Sequence, residues 1–368
     1  MKTYSILFTL VILVACSVTR IGDGQQAKIP KGSFEDTLRF LYSLAPEKWP
    51  AAFMDPGKEL HELGVLPRGP YASPSDSIRH IILLGKTLFF DERLSGSNRI
   101  SCASCHKPEL SWTDGRAKSI GHAGLVNKRN SPTIQNAWFY HKLFWDGRSH
   151  SLEDQAFAPI NSESEMSSDM PQVTGKLRRI KGYRPLFDSA FGNHQVTPEQ
   201  LTEALAIFQR TIVSDQSAFD KFLLGQRDAL SDEQLRGLNL FRTKARCINC
   251  HNGPLFSDNE FHNTGFARIG QQGEDMGRFI ATKKEEDKGR FKTPSLRDVT
   301  FTGPWMHNGS ATALADIITH YNEMPPAFNT DKILRPLKLT AREQTDLLAF
   351  LQSISSAPLP FTLPKKPE

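Results

Sequence analysis

Apolar residues recur at every third or fourth position in several segments, and each of these segments follows a pattern that caps helices. A Ser or Thr followed three positions later by Gln or Glu can satisfy two free backbone amides at a helix start. This pattern begins at Thr197, where Pro198 takes the first helical position, at Ser231 and at Thr340. Apolar residues on one face follow the first and last caps, namely Leu201, Leu205, Phe208 and Ile212, and Leu347, Leu348, Leu351 and Ile354. The pattern predicts helices in all three segments.

Segments of strictly alternating apolar and polar residues, which indicate strands, are nearly absent. Pro and Gly are frequent in residues 64–74 and 265–289, as is typical of loops. We therefore expect a mainly α-helical protein with long connecting loops. Residues 16–75 carry no motif beyond their first residue, and we expect them to form a tether and a helical N-terminal extension.

The composition is that of a globular protein, with 368 residues, 39% hydrophobic and 23% charged. The 24 Phe residues exclude a chain that is disordered as a whole. A net charge of +5 without a dense basic block gives no reason to expect nucleic-acid binding. The one long apolar segment, residues 4–16, is too short to span a bilayer, and five cysteines are too few for a disulfide scaffold.

The N-terminus has the features of an export signal. Lys2 precedes an apolar segment at residues 6–15, and Cys16 follows directly. This arrangement resembles a bacterial lipoprotein signal, in which residues 1–15 are removed and the cysteine is lipidated. The alternative is an ordinary signal peptide with an incidental cysteine. We expect a chain held by lipid on the periplasmic side of a bacterial membrane. Ser17 after the cysteine points to the outer membrane where the host has two.

The other four cysteines lie in two C-x-x-C-H motifs, the attachment site of c-type haem. Two thiols one helical turn apart can each bond a haem vinyl group, and the adjacent His then ligates the iron. A zinc site would have to join cysteine pairs much farther apart than in zinc ribbons, and a redox dithiol would not need the His twice. The motifs predict two covalent haem c groups at Cys102, Cys105 and His106 and at Cys247, Cys250 and His251.

The chain contains an internal duplication around these motifs. A G-x-x-L-F pattern precedes each motif, at Gly85 and Gly237, and a Ser/Thr-Pro pair follows each. The two prolines of these pairs, Pro132 and Pro294, are 162 residues apart, and so are the Asp-Gly and Asn-Gly pairs that come after them. We therefore expect two related haem domains, at residues 76–230 and 231–368.

Several longer stretches resemble the bacterial di-haem cytochrome c peroxidases, a family that includes MauG-like proteins. The resemblance covers about residues 80–356 and is carried by LGKTLFFD (84–91), RNSP (129–132), FWDGR (144–148), KTPSLR (292–297) and HNGS (307–310). It implies two tandem cytochrome c-like domains, with a peroxidatic N-terminal haem and a C-terminal haem that relays electrons. It also implies hydrogen peroxide as substrate, and a small redox protein (a cytochrome c or cupredoxin) or quinol as donor. Family members are often dimers.

The resemblance also implies roles for individual residues near the first haem. His106 and His251 would be the proximal iron ligands, and His122 stands where peroxidases carry a removable distal ligand. Three further residues fall at family positions of the peroxide site and the path between the haems. Glu165 would transfer protons, Gln155 would orient peroxide, and Trp145 would lie between the haems.

Two metal-binding features follow from the resemblance as well. Asn130, Thr302 and Pro304 match positions that bind one Ca²⁺ between the haems. The position that classical members occupy with a Met ligand of the second haem is Tyr321 here, as in the MauG-like branch, with Met306 and Met324 nearby as alternatives.

Three functions fit these features. The first is a peroxidase that reduces hydrogen peroxide to water, which the distal residues favour. The second is a MauG-like enzyme that oxidises side chains of a partner protein, which Tyr321 favours. The third is a di-haem electron carrier, for which the two C-x-x-C-H motifs alone would suffice.

Overall fold

The computed structural model describes residues 32–368, so the predicted signal peptide and Cys16 lie outside the described residues. The described chain is mainly α-helical, as predicted, with eleven α-helices and one small antiparallel sheet. The helices are α1 (Phe34–Tyr42), α2 (Asp76–Phe89), α3 (Leu152–Asn161), α4 (Met170–Arg179), α5 (Tyr183–Phe191), α6 (Pro198–Gln209), α7 (Ala218–Leu223), α8 (Asp232–Arg242), α9 (Phe279–Thr282), α10 (Leu314–Glu323) and α11 (Ala341–Ser353). The strands are β1 (Phe261–His262) and β2 (Phe291–Lys292).

The three helices predicted from capping patterns are confirmed. Both hydrogen bonds of the capping box are present at Thr197, Ser231 and Thr340, which cap α6, α8 and α11. Between residues 32 and 368, no helix combines the length and apolar character needed to cross a bilayer.

Two helix crossings form the centres of two hydrophobic cores, α2 against α6 and α8 against α11. The glycines of the duplicated G-x-x-L-F pattern lie at these crossings. A Cβ atom at Gly85 would clash with the Ala204 carbonyl of α6, and one at Gly237 would clash with the Asp346 carbonyl of α11. Only glycine permits this approach of two helix backbones. The duplication seen in the sequence is therefore a duplication of packing geometry.

The two ends of the described chain pack on opposite domains. Helix α1 belongs to the C-terminal core, where Leu38 and Tyr42 are buried. The chain after α1 stays on this core, since the Phe53 amide donates to the Arg242 carbonyl at 2.8 Å. The C-terminal tail returns to the N-terminal core, where the ring of Phe361 stacks on Phe90 with centroids 5.3 Å apart. The predicted N-terminal extension thus completes the C-terminal domain and not the domain that follows it in sequence.

The change from one core to the other occurs earlier than the predicted boundary after residue 230. Phe219 and Phe222 of α7 are buried in the C-terminal core. Asp220 from the same helix pairs with the buried guanidinium of Arg297 at 2.6 Å. The prediction placed the boundary at the cap of α8, whereas α7 already supplies apolar side chains to the second core.

Candidate active site

One continuous cavity of about 990 Å³ reaches both C-x-x-C-H motifs. It runs between the two domains, and its walls include apolar side chains such as Ile160, Leu205 and Phe241. All six residues of the two motifs that were predicted to bind haem line it, namely Cys102, Cys105 and His106, and Cys247, Cys250 and His251. The fold therefore brings together two motifs that are far apart in sequence.

The two motif histidines have matching hydrogen bonds. The Nδ1 atom of His106 lies 3.1 Å from the Trp112 carbonyl, and that of His251 lies 2.9 Å from the Phe256 carbonyl. A carbonyl can only accept, so Nδ1 carries the proton and Nε2 keeps its lone pair for a metal. Burial lowers the pKa of both imidazoles, which favours the neutral form that ligates iron.

The cysteines are also suited to a covalent haem. Burial raises the pKa of Cys102 and of Cys247 to about 12, so both thiols are neutral. All four motif cysteines are free of disulfides. Neutral thiols beside a neutral imidazole, with apolar walls and a volume at the upper end of ordinary ligand pockets, fit a haem at each motif.

Helix α3 and the turn after it supply two predicted residues of the peroxide site. Ser151 caps the helix by accepting from the Asp154 amide, and the buried face of Leu152, Ala156 and Ile160 fixes its rotation. Gln155 and Glu165 both line the cavity that contains His106. Glu163, two residues from Glu165, is exposed, so the structure distinguishes two carboxylates that look alike in the sequence.

The environment of Glu165 suits proton transfer. Burial raises the pKa of its carboxyl group, and the charge of Arg148 only partly opposes this. A carboxyl group whose pKa moves toward neutral pH can both accept and donate a proton. The backbone around it is ordered by hydrogen bonds, since the Glu165 amide donates to the Ser162 carbonyl at 3.1 Å.

Trp145 lies between the two domains and lines the cavity. Its indole Nε1 donates to the Asn130 carbonyl at 2.9 Å. Its own carbonyl accepts from the Lys292 amide of the other domain at 2.8 Å. The Trp145 residue is therefore held by both domains, as its predicted position between the haems requires.

His122 is not among the residues that line the cavity in the described part of the chain. Its backbone amide donates to the Glu165 carbonyl at 2.9 Å, which puts it beside the main chain of the peroxide site. The Nδ1 atom is buried without a hydrogen-bond partner among the described residues. The structure therefore does not bring His122 together with His106, and its role as a distal ligand stays a prediction.

Of the three candidate ligands for the second haem, Tyr321 and Met306 line the cavity and Met324 does not. Tyr321 lies on α10, and burial raises the pKa of its phenol. Met324 caps the end of the same helix with positive φ. Tyr321 and Met306 are thus the two candidates that face the cavity, and the identity of the ligand stays a prediction.

The three predicted calcium ligands, Asn130, Thr302 and Pro304, all line the cavity. The Asn130 side-chain nitrogen donates to the Arg116 carbonyl at 2.9 Å, so its amide oxygen is the side-chain atom that could bind a cation, and calcium binding stays a prediction. Amide and carbonyl oxygens are donors that a hard cation accepts.

Two of the cavity residues that were not predicted from the sequence form a cation–π pair. Lys292 and Tyr140 line the cavity, and the Lys292 Nζ atom lies 3.2 Å from the centre of the Tyr140 ring. A signal for the lysine was present, since it occupies the position of Asn130 in the second repeat.

Comparisons with known proteins identify the family of this chain. Residues 79–228 match the family model described as di-haem cytochrome c peroxidase. The chain is 40% identical over 290 residues to the methylamine utilization protein MauG of Methylophilus methylotrophus, covering 77% of this chain and 85% of that protein. It is 37% identical over 328 residues to cytochrome-c peroxidase IdrP1 of Pseudomonas sp. strain SCT, covering 81% and 86%.

A solved structure of a MauG-like protein has the same fold. The crystal structure of a MauG-like protein associated with microbial copper homeostasis superimposes with a TM-score of 0.71 at 29% identity. The superposition covers 83% of this chain and 96% of that chain. The chain therefore belongs to the bacterial di-haem cytochrome c peroxidase family, the oxidoreductases that include MauG and use two haem cofactors.

Proposed function

We propose that this chain reduces hydrogen peroxide to water with two electrons and two protons. An external donor supplies the electrons, which enter through the C-terminal haem domain and leave at the N-terminal one. The observation that carries the proposal is the position of Glu165 in the cavity of His106, with a carboxyl pKa that burial raises. When bound there, haem supplies the iron that takes up peroxide and passes it electrons.

The residues around the peroxide have separate tasks in this proposal. Glu165 would accept a proton from one peroxide oxygen and donate it to the other, which leaves as water. Gln155, which lies on α3, orients the peroxide by hydrogen bonding. Trp145, which both domains hold, carries electrons between the haems. His122 would be the removable distal ligand of the iron that the family resemblance implies.

The cofactor set of the proposal is two covalent haem c groups and one Ca²⁺. Cys102 and Cys105 would form the thioethers of the first haem and Cys247 and Cys250 those of the second. Asn130, Thr302 and Pro304 would hold the Ca²⁺ together with water. The free Nε2 atoms of the motif histidines and the oxygen donors around Asn130 support this assignment.

The location and partners of the enzyme belong to the same proposal. Export and lipidation at Cys16 would place it on the periplasmic side of a bacterial membrane, on the outer membrane where the host has two. A cytochrome c, a cupredoxin or quinol would be the donor, and the enzyme would form a homodimer. These points rest on the sequence motifs and on the family.

Tyr321 supports a second candidate function, the oxidation of side chains of a partner protein. It lines the cavity beside the second haem motif, and the chain is similar to MauG. In that case peroxide would oxidise both haems, and the protein partner would replace the small donor as the source of electrons.

A stopped-flow experiment separates the two functions. The haem-loaded enzyme is mixed with hydrogen peroxide and an excess of reduced donor, and both are followed by absorbance. Two donor electrons consumed per peroxide over many turnovers would support the peroxidase. A long-lived oxidised haem spectrum with little donor turnover would contradict it and support the second candidate.

Glu165 variants test the mechanism in the same assay. Replacing Glu165 by Gln removes the proton carrier and should slow turnover ~10²-fold. Replacing the exposed Glu163 by Gln is the matched control and should leave the rate within about twofold, since it changes the same charge outside the cavity. Equal rates for both variants would remove Glu165 from the mechanism.

A further inference from the structure

Lys292 is a cation that faces the cavity without a counter-ion. It lies on β2, where its backbone pairs with Phe261 of β1, and its side chain lines the cavity. The Nζ atom lies over the ring of Tyr140, 3.2 Å from its centre. The phenol oxygen of that ring already accepts from the Ser295 amide at 2.6 Å. The ring therefore fixes the ammonium in place but offers it no negative charge.

Within residues 32–368, no carboxylate lies within 4.0 Å of the Lys292 Nζ atom, and no hydrogen bond from it is formed. The most buried arginines behave differently, because each is paired. These pairs are Arg242 with Glu62, Arg246 with Asp55, and Arg297 with Asp220. Lys292 is only partly exposed, and desolvation lowers the pKa of its ammonium group to about 7, so an anion beside it would stabilise the charged form. The position therefore calls for an anion inside the cavity.

The family supplies that anion. A haem carries two carboxylate groups, and two haems belong in this cavity. The segment that begins with Lys292 is hydrogen-bonded to the loop that follows His251 in the chain. The Thr293 carbonyl accepts from the Ser257 hydroxyl at 2.8 Å, and the Ser295 hydroxyl donates to the Leu255 carbonyl at 2.7 Å. Lys292 is thus tied to the C-terminal motif.

We propose that Lys292 binds a carboxylate of the C-terminal haem and that its positive charge raises the reduction potential of this haem. The proposal rests on the two haems of the family and not on peroxide reduction. A fixed cation beside a redox centre stabilises the reduced form, which has one positive charge fewer than the oxidised form. The same lysine is hydrogen-bonded through its backbone to Trp145, so the charge lies where electrons leave this domain.

The duplication shows that the lysine is present in one repeat only. Lys292 takes the place that Asn130, a predicted Ca²⁺ ligand, has in the first repeat. Each repeat would therefore hold a positive charge at this position. In the first repeat the charge would be a metal ion bound near Asn130, and in the second it would be the ammonium group of Lys292. The two haems would be adjusted by cations of different kinds at equivalent places.

Spectroelectrochemical titration of the haem-loaded full chain tests the proposal. Lys292→Met removes the charge at similar length and should lower the reduction equilibrium constant of the C-terminal haem ~tenfold, which is about 59 mV for a one-electron couple. Lys292→Arg keeps the charge and should stay within about threefold of the unaltered protein. Lys284→Gln removes an exposed charge of the same domain and should change nothing. An unchanged potential in Lys292→Met, or a shift confined to the N-terminal haem, would overturn the proposal.

A second measurement does not depend on whether the variants retain haem. Resonance Raman spectra of the unaltered enzyme in water and in D₂O report on hydrogen bonds to haem carboxylates. The propionate bending band of the C-terminal haem should shift on exchange of the ammonium hydrogens. A band that is identical in both solvents would overturn the contact. Neither readout requires turnover, so a failure here is distinguishable from a failure of the proposed peroxidase activity.

Discussion

The Asn130 backbone amide donates to the His307 carbonyl at 2.8 Å, and this bond joins the two haem domains. The equivalent residues of the other repeat form the same bond in the opposite direction, since Lys292 donates to Trp145, also at 2.8 Å. The two backbone hydrogen bonds at the interface are thus related by an approximate twofold axis that exchanges the repeats. The side chains at these positions differ between the repeats, Asn against Lys and Trp against His. The functional difference between the domains therefore resides in side chains carried by a repeated backbone.

The helix crossings should depend on their glycines. Gly85→Ala places a methyl group against the Ala204 carbonyl and should lower the free energy of unfolding by about 3 kcal/mol. Gly175→Ala on α4 is the control, because a Cβ atom there would meet nothing within 4 Å outside its own helix, and the change should stabilise by roughly 0.5–1 kcal/mol. Urea unfolding followed by circular dichroism measures both. A loss of stability in the control as large as at Gly85 would contradict the role of the crossing.

The C-terminal tail should stabilise the N-terminal domain. Phe361 packs against Phe90 and Trp112, and the Trp112 carbonyl accepts from His106. Phe361→Ala should lower the free energy of unfolding by about 3 kcal/mol and disturb the absorption spectrum of the first haem. Leu363→Ala, which alters a side chain that is 67% exposed, should change neither. Thermal unfolding with haem absorbance as readout compares the two variants.

His262 should make the free energy of unfolding depend on pH in the alkaline range. Burial alone would lower its pKa, but the carboxylates of Asp258 and Asp331, at 2.8 and 2.5 Å, raise it to about 11. A raised pKa contributes stability that is complete below the unfolded value of about 6.5 and is lost as pH rises through the folded value. The free energy of unfolding should therefore fall between about pH 7 and 11, and His262→Gln should flatten this part of the profile. A variant with an unchanged slope would contradict the assignment.

Ser214 should couple the two domains. Its hydroxyl accepts from the Asn136 side chain at 2.7 Å and donates to Asp298, the residue equivalent to Asn136 in the second repeat. Ser214→Ala leaves a buried carboxylate with one donor fewer and should cost about 1–3 kcal/mol of stability. Ser310→Ala, at an exposed position, is the control. Equal unfolding midpoints for the two variants would show that the bridge contributes nothing.

The sequence by itself determined the local chemistry. The capping boxes at Thr197, Ser231 and Thr340 predicted three helix starts that the structure confirms, because a cap satisfies backbone amides within one turn. The C-x-x-C-H motifs predicted two haem groups, which the family confirms, since cysteines and histidine must be neighbours to reach one haem. The 162-residue repeat predicted two related haem domains, and the helix crossings at Gly85 and Gly237 repeat accordingly.

Only the tertiary structure decided which distant residues meet. It placed α1 and α7 on the C-terminal core and the tail with Phe361 on the N-terminal core, because an apolar face packs wherever a complementary one is available and not on its neighbour in sequence. It separated Glu165 from Glu163, and Tyr321 and Met306 from Met324, by their access to one cavity. It also showed Lys292 facing that cavity with no carboxylate beside its ammonium group among residues 32–368, since the surroundings of a side chain are a property of the folded chain.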